Sequence, residues 1–443
     1  MGQTLVAYDV LAVLGYSEEH KWLRNQVNGR SGMKKSILFV DDEPRVIQAL
    51  QHILVGKQDE WHMEFADSGA CALKLLSKFD FHAIVADLFM PGMDGAQLLE
   101  EARMRSPQTT RIVLCWRSDR QFLSRVFGVA HQYLYKPCDP EVLKGTLARV
   151  LVQSDLLSDA RLKMLVSQLR TVPSLPALYL DLMHEMKSEN ASLQRVGDII
   201  ARDPGMSVKI LQLVNSAFFG LPRHVSGPAE AALFLGIETI KTLVLSLQIF
   251  SQFDHAKIQA FNLGALWKHS WETALLAKQV SGSEERNMKQ AEQAFTAGLL
   301  HDIGKLLLAA NLPSVYQEAL DLAQTLAIPV PEAERTILGA SHAEVGGYLL
   351  GLWGLPQPVV DGVTFHHCPA QCAHRGFGPL TAVHAANVLS QARTPDAQHM
   401  AASQLDMEYL TSIGRAGRLS SWQELAAPAA PMVAAATKEL ALF

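Results

Sequence analysis

Cysteine is sparse in this chain, and its five thiols (Cys71, Cys115, Cys138, Cys368 and Cys372) are scattered. Cys368 and Cys372 stand at C-x3-C spacing beside His366, His367 and His374, which allows a zinc site. No second C-x2-C pair accompanies them, so reduced thiols in a cytoplasmic protein are the plainer reading. Long apolar runs are also missing. None reaches the ~18 residues of a membrane span, and the richest stretch, Leu233 to Phe250, carries Glu238 and Lys241 at helical period. The first residues lack the basic-then-apolar layout of a signal peptide. A basic excess is absent too: the net charge is -5, which leaves no footprint for bulk nucleic-acid or membrane-surface binding. No internal repeat stands out.

What is present is an ordinary globular composition, 49% hydrophobic and 19% charged over 443 residues, long enough for two to three domains. Residues 1–33 read as an extension, with a short helix over Thr4 to Leu14 and then a polar stretch ending Asn28-Gly29-Arg30-Ser31-Gly32. Met33 is a candidate native start, with the upstream segment an over-extended reading frame or a loose tail, and a short docking helix is the alternative reading. Across 34–152, apolar runs (Ile37–Val40, Met63–Ala66, Ala83–Ala86, Ile112–Cys115, Tyr133–Tyr135) alternate with helix-period stretches (Val46–Leu54, Ala70–Ser77, Gly95–Arg105, Arg120–Val126, Glu141–Leu151). Continuous apolar strands alternating with helices predict a doubly wound, five-stranded parallel sheet, an α/β fold. Pro44 suits the first turn of the first helix. Residues 153–160 read as a linker. Beyond them strand signals nearly vanish, which predicts an all-α remainder; the family resemblance of its motifs bounds one domain over 161–370 and leaves a helical extension over 371–443.

Ligands of an open parallel sheet gather beyond the carboxyl ends of its strands. Asp41 and Asp42 follow the first run, Asp87 the third and Lys136 the fifth. Converging carboxylates suit a hard cation such as Mg²⁺, with Asp87 as nucleophile toward a phosphoryl group and Lys136 paired with the new charge. A loop or capping role explains any one of these residues but not the set.

The segments Ile37-Leu38-Phe39-Val40-Asp41-Asp42-Glu43-Pro44, Asp87-Leu88-Phe89-Met90-Pro91-Gly92-Met93-Asp94-Gly95 and Tyr135-Lys136-Pro137 resemble the response-regulator receiver family. The resemblance implies phosphotransfer from a histidine-kinase partner to Asp87, with Mg²⁺ held by Asp41 or Asp42 and Asp87. It places Tyr133 where the family keeps a switch aromatic. Leu114-Cys115-Trp116 departs from the family, which has Ser or Thr and then a small residue there. Cys115 donates a hydrogen bond poorly, so phosphorylation is expected to survive better than its coupling to the switch.

In the helical half, histidines stand at His269, His301, His342, His366 and His367, and Asp302 follows His301. Such donors suit Fe, Mn or Zn, and two such ions can activate water and clamp a phosphate ester. Spacing alone does not show that they converge. Pro173-Ser174-Leu175-Pro176, Asp203-Pro204-Gly205-Met206, Val214-Asn215-Ser216-Ala217, Gly298 to Lys305, Trp353-Gly354-Leu355-Pro356 and His366-His367 are similar to the HDOD branch of the HD superfamily. HDOD domains are signalling or interaction modules, whereas the related HD-GYP branch hydrolyses cyclic di-GMP. The ligands of that branch would correspond to His269, His301, Asp302, His342 and His366 or His367, with Lys305 near the phosphate. The closing aspartate is replaced by Asn387, and the Gly-Tyr-Pro feature is absent.

These resemblances favour a response regulator in which phosphorylation of Asp87 switches an output module that binds a protein or nucleotide. The alternative is a receiver-gated metal-dependent phosphodiesterase. DNA binding is not expected, since no basic helix-turn-helix signal follows the receiver. Receiver domains often pair, so a homodimer is compatible with the sequence.

Overall fold

A computed structural model describes residues 34–116, 129–153 and most of 156–426, chiefly without 175–180, 216–224, 237–239, 241–249, 253–261 and 392–403. The extension over 1–33, the helix expected at Arg120–Val126, most of that expected over 237–250, and the motif residues Leu175, Pro176, Ser216 and Ala217 lie outside the described residues.

The first half is built on β1 (Lys35–Val40), α1 (Pro44–Ile53), β2 (Trp61–Ala66), α2 (Gly69–Leu76), β3 (Ala83–Asp87), α3 (Gly95–Arg105), β4 (Thr110–Trp116), β5 (Gln132–Lys136) and α4 (Pro140–Gln153). The strands form one parallel sheet in the order β2-β1-β3-β4-β5. Side-chain alternation sends Leu38, Ile84, Val113 and Tyr133 to one core, and Ile37, Phe39, Val85, Ile112 and Leu134 to the other. Both faces are therefore dry, which explains why these strands read as continuous apolar runs. Pro44 occupies the first turn of α1 as expected. Asp94 and Gln97 close a reciprocal capping box on α3.

The second half is mainly helical. It comprises α5 (Ala160–Gln168), β6 (Val172–Ser174), α6 (Leu193–Ala201), α7 (Pro204–Asn215), α8 (Pro228–Leu235), β7 (Phe250–Gln252), α9 (Leu263–Glu284) and α10 (Met288–Leu300). It continues through α11 (Ile303–Asn311), α12 (Pro313–Leu326), α13 (Val330–Leu338), α14 (His342–Leu352), α15 (Gln357–Thr364), α16 (Pro379–Gln391), α17 (Met407–Ser412) and α18 (Leu419–Ala426). Helices α9, α10, α15 and α16 pack on one another around a large apolar core.

Two sequence expectations are corrected here. β6 and β7 pair in parallel, Val172 against Phe250, so Phe250 belongs to a strand and not to the end of a helix. That pairing is decided by a partner far along the chain, which local periodicity cannot register. Asp87 and Lys136 also occupy the last positions of their strands rather than the loops that follow. No helix among the described residues is long and apolar enough to cross a membrane.

Candidate functional sites in the two domains

Strand alternation puts Asp41, Asp87 and Lys136 on the same side of the sheet at its carboxyl edge. Lys136 Nζ lies 2.6 Å from Asp41 Oδ2 and 2.5 Å from Asp87 Oδ1. The remaining carboxylate oxygens are held by backbone: Glu43 N–H donates to Asp41 Oδ1 and Phe89 N–H to Asp87 Oδ2, both at 3.0 Å. Asp41 and Asp87 are buried, whereas Asp42 is exposed. Burial pushes the Asp87 carboxyl up, and the Lys136 ammonium only partly offsets this. Burial pulls Lys136 down, but its contacts with both carboxylates more than offset that, so its pKa is raised. Two buried carboxylates sharing one ammonium still favour added positive charge. All the donors are oxygen, so the residues fit a hard divalent cation.

Gly95 permits this geometry at the start of α3. A Cβ there would fall 2.0 Å from the Asp87 carbonyl oxygen. Cys115 and Tyr133 lie on the opposite face of the sheet, both buried in the core beneath α3. Cys115 Sγ approaches the Leu134 carbonyl at 3.8 Å, and burial pushes the Tyr133 phenol well up. Trp116 ends β4 and is 49% exposed. The large side chain that replaces a small one thus turns to solvent.

In the helical half, five elements bring the histidines together. His269 comes from α9, His301 caps α10, Asp302 opens α11, His342 opens α14, and His366 and His367 follow α15. Asp302 is central and 1% exposed. Its Oδ1 lies 3.1 Å from His342 Nε2 and 3.9 Å from His366 Nε2. Its Oδ2 lies 2.8 Å from Lys305 Nζ, 3.4 Å from His301 Nε2 and 3.9 Å from His269 Nε2. Two groups of donors result, one of Asp302, His342, His366 and His367, the other of His269, His301 and Asp302. Within each group the ligand atoms lie within 4.8 Å of one another.

Tautomers follow from the outer contacts. His301 Nδ1 donates to Gly298 O and His366 Nδ1 to Val363 O, each at 2.7 Å. A neutral ring that donates through Nδ1 carries a lone pair on Nε2. His366 Nε2 is buried without a hydrogen-bond partner among the described residues. His301 Nε2 faces His269 Nε2 at 3.1 Å, and His342 Nε2 faces His367 Nε2 at the same distance. The inward lone pairs of His301 and His366 beside Asp302 belong to a donor set that suits a metal ion.

Burial keeps these rings neutral. It lowers His269 to about 3, lowers His301, and holds His366 and His367 well below the usual range, with help from neighbouring imidazoles. His342 differs: burial depresses it, but Glu334 and Asp302 carry it upward. Burial would raise Asp302, yet His301, Lys305 and His342 hold it well below the usual carboxylate range.

His269, His301, His342, His366 and His367 all reach the cluster, and so does Asn387. Its Oδ1 is 2.9 Å from His269 Nε2, while its amide nitrogen is buried without a hydrogen-bond partner among the described residues. Sequence reasoning missed Glu334. This carboxylate from α13 takes His342 Nδ1 at 2.6 Å and the His342 backbone N–H at 2.8 Å. It also missed His384, which donates to His366 O at 2.7 Å. Neither residue has a spacing signal, since each acts on a ligand folded against it. Cys368 and Cys372 lie outside both donor groups.

Comparison with known proteins agrees with both halves. The response regulator receiver domain model matches residues 37–148, and the HDOD domain model matches residues 172–369. The chain is a response regulator with a receiver domain and an HDOD output domain. An uncharacterized protein of Treponema pallidum is 24% identical over 199 residues, which is 44% of this chain and 37% of that protein. The hydrogenase transcriptional regulatory protein HoxA of Cupriavidus necator is 30% identical over 131 residues, 29% of this chain and 27% of HoxA. The chain thus spans well under half of either relative. Among solved structures, the MmoQ response regulator of Methylococcus capsulatus is 23% identical. The match covers 57% of this chain and 98% of that one, with a TM-score of 0.44.

Proposed function

We propose that this response regulator is cytoplasmic, accepts a phosphoryl group on Asp87 from a histidine kinase and thereby switches its HDOD domain as a signalling module. The observation that carries this reading is the convergence of Asp41, Asp87 and Lys136 within 2.6 Å at the carboxyl edge of the sheet. Asp41, Asp87 and the exposed Asp42 would hold Mg²⁺, which would neutralise charge for the incoming phosphoryl group. A carboxylate oxygen of Asp87 forms the new O–P bond as the donor–phosphorus bond breaks, and the donor leaves with the bonding pair. Lys136 then pairs with the phosphoryl oxygens. Cys115 stands where the family has a hydroxyl, and Tyr133 is the switch aromatic beside it. The downstream target is a protein or nucleotide bound by the HDOD surface rather than DNA, and two copies can pair through a receiver face.

Acetyl phosphate with Mg²⁺ should add one phosphoryl mass to the wild-type chain and none to Asp87→Asn. Persistent labelling of the variant would sink the acceptor assignment.

A second reading, metal-dependent hydrolysis of a phosphodiester such as a cyclic dinucleotide, is favoured by one specific observation. The two donor groups share Asp302, as a two-ion site requires. Bound Fe, Mn or Zn would lower the pKa of a coordinated water and clamp the ester. His342, His366 and His367 would hold one ion, and His269, His301 and Asn387 the other, with Lys305 oriented by Asp302 toward the phosphate. Asn387 weakens the second position, which ranks this reading behind the first. Elemental analysis of the purified protein tests it. Near-stoichiometric metal supports it, and metal-free protein that stays inactive toward cyclic dinucleotides after reconstitution removes it.

A further inference from the structure

The domains meet at the end of the sheet remote from Asp87. Arg111, the second residue of β4, is fully buried, and its guanidinium reaches a series of backbone carbonyls. Nε donates to Val129 O, Nη1 approaches Pro107 O and Thr109 O, and Nη2 donates to Ser167 O at 2.6 Å. Ser167 lies in the last turn of α5, where a cation complements both the unpaired carbonyls and the helix dipole. His131 converges on the same oxygen. Its Nδ1 accepts from Arg111 N–H at 3.0 Å, so its Nε2 carries the proton toward Ser167 O at 2.9 Å. One residue on, Gln132 opens β5. Its Nε2 donates to Leu352 O at 3.0 Å and Gly351 O at 3.3 Å, the last carbonyls of α14.

Two elements at this junction, β5 and α14, each reach one of the two sites. β5 begins at Gln132 and ends at Lys136, the shared partner of Asp41 and Asp87. The two residues are on the same face of the strand and about 13 Å apart at ~3.3 Å per residue. α14 ends at the carbonyls held by Gln132 and begins at His342, about 15 Å away at ~1.5 Å per residue. Phosphorylation consumes the negative charge on Asp87 that Lys136 now contacts and offers it phosphoryl oxygens instead. Lys136 re-pairs with those oxygens, and β5 carries this residue. Arg111 and His131 pin β4 to α5 beside this path, so a shift of β5 is read against a fixed point.

We infer that the acceptor site and the histidine cluster are coupled through β5 and α14, with the Gln132 amide on the α14 carbonyls as the transmitting contact. The inference rests on the reading of Asp87 as acceptor. Coupling of this kind is reciprocal, so occupation of the cluster also changes the receiver.

The test uses the full chain with acetyl phosphate and Mg²⁺. Phosphoryl occupancy is read by intact mass, and amide hydrogen exchange is read on peptides covering 342–352. Phosphorylated wild-type protein should change the exchange of α14 by about fivefold or more. Gln132→Ala, and Gln132→Met as a variant of similar size that cannot donate, should phosphorylate normally yet leave α14 exchange unchanged. Phosphorylated wild type with unaltered α14 exchange overturns the inference alone, as does full transmission in both variants. Failure of wild-type Asp87 to label overturns the acceptor reading and the inference with it.

Discussion

The receiver site and the histidine cluster each set a carboxylate against a lysine, and they resolve that pairing oppositely. In the receiver, Asp41 and Asp87 share Lys136, so negative charge exceeds positive and burial raises Asp87. In the HDOD domain a single Asp302 is ringed by Lys305 and imidazole nitrogens, and it is held strongly acidic. The first site is all oxygen and opens at a sheet edge, which suits a transient hard cation and a passing phosphoryl group. The second is nitrogen-rich, buried and braced from outside by carbonyls and Glu334, which suits a resident transition metal. Ligand chemistry, rather than the presence of an Asp–Lys pair, is what separates the proposed switch from the candidate metal site.

The comparison breaks most directly at its shared carboxylate. If the cluster holds metal, Asp302→Ala should abolish its retention at both positions, a larger loss than the about 10- to 100-fold that follows removal of an outer partner, while Asp87 still labels with acetyl phosphate. Plasma mass spectrometry alongside intact mass reads both outcomes. Glu334→Gln should follow, lowering metal affinity by about 10- to 100-fold, as loss of an outer partner of a ligating histidine does. Competition with a chromogenic chelator measures it, and an unchanged affinity would mean that Glu334 does not orient His342.

A third effect is on stability. His269, His301, His366, His367 and the junction residue His131 all have depressed folded pKa values. The unfolded chain therefore binds more protons than the folded one below the ordinary value of 6.5. Stability should fall as pH drops from about 6.5, continuing for His269 toward its folded value of about 3. Raised His342 opposes this only in part. Metal-free protein should melt several degrees lower at pH 5 than at pH 7.5. A flat profile would mean that the rings are charged in the folded state. The smallest effect is expected from Asn387→Asp, which restores a carboxylate facing His269 and should tighten the second metal position by up to about tenfold. Isothermal titration should resolve this as stronger binding of the second equivalent only.

Much of the receiver is legible in the residue pattern alone, because its chemistry sits at strand ends. Asp41, Asp87 and Lys136 each close an apolar run, and a parallel sheet must bring such ends to one edge. The face assignment of Cys115 and Tyr133 requires the sheet itself, as does the outward turn of Trp116. The histidine cluster is legible as residue types and family pattern but not as geometry, since its members come from α9 to α16 with no shared period. Asn387 lies beyond the matched 172–369 segment, yet α16 folds it against His269.

The sequence by itself determined the domain types, the alternating parallel sheet, the candidate acceptor edge and the inventory of candidate metal-ligating side chains. Local patterning and a few strand-end residues suffice for those. Only tertiary structure decided that Asp302 is shared by two donor groups, that Glu334 and His384 brace the cluster, and that Gln132 joins β5 to α14. Those facts depend on contacts between segments separated by eight to more than two hundred residues. Their positions are set by the packing of whole helices rather than by any local preference of the chain.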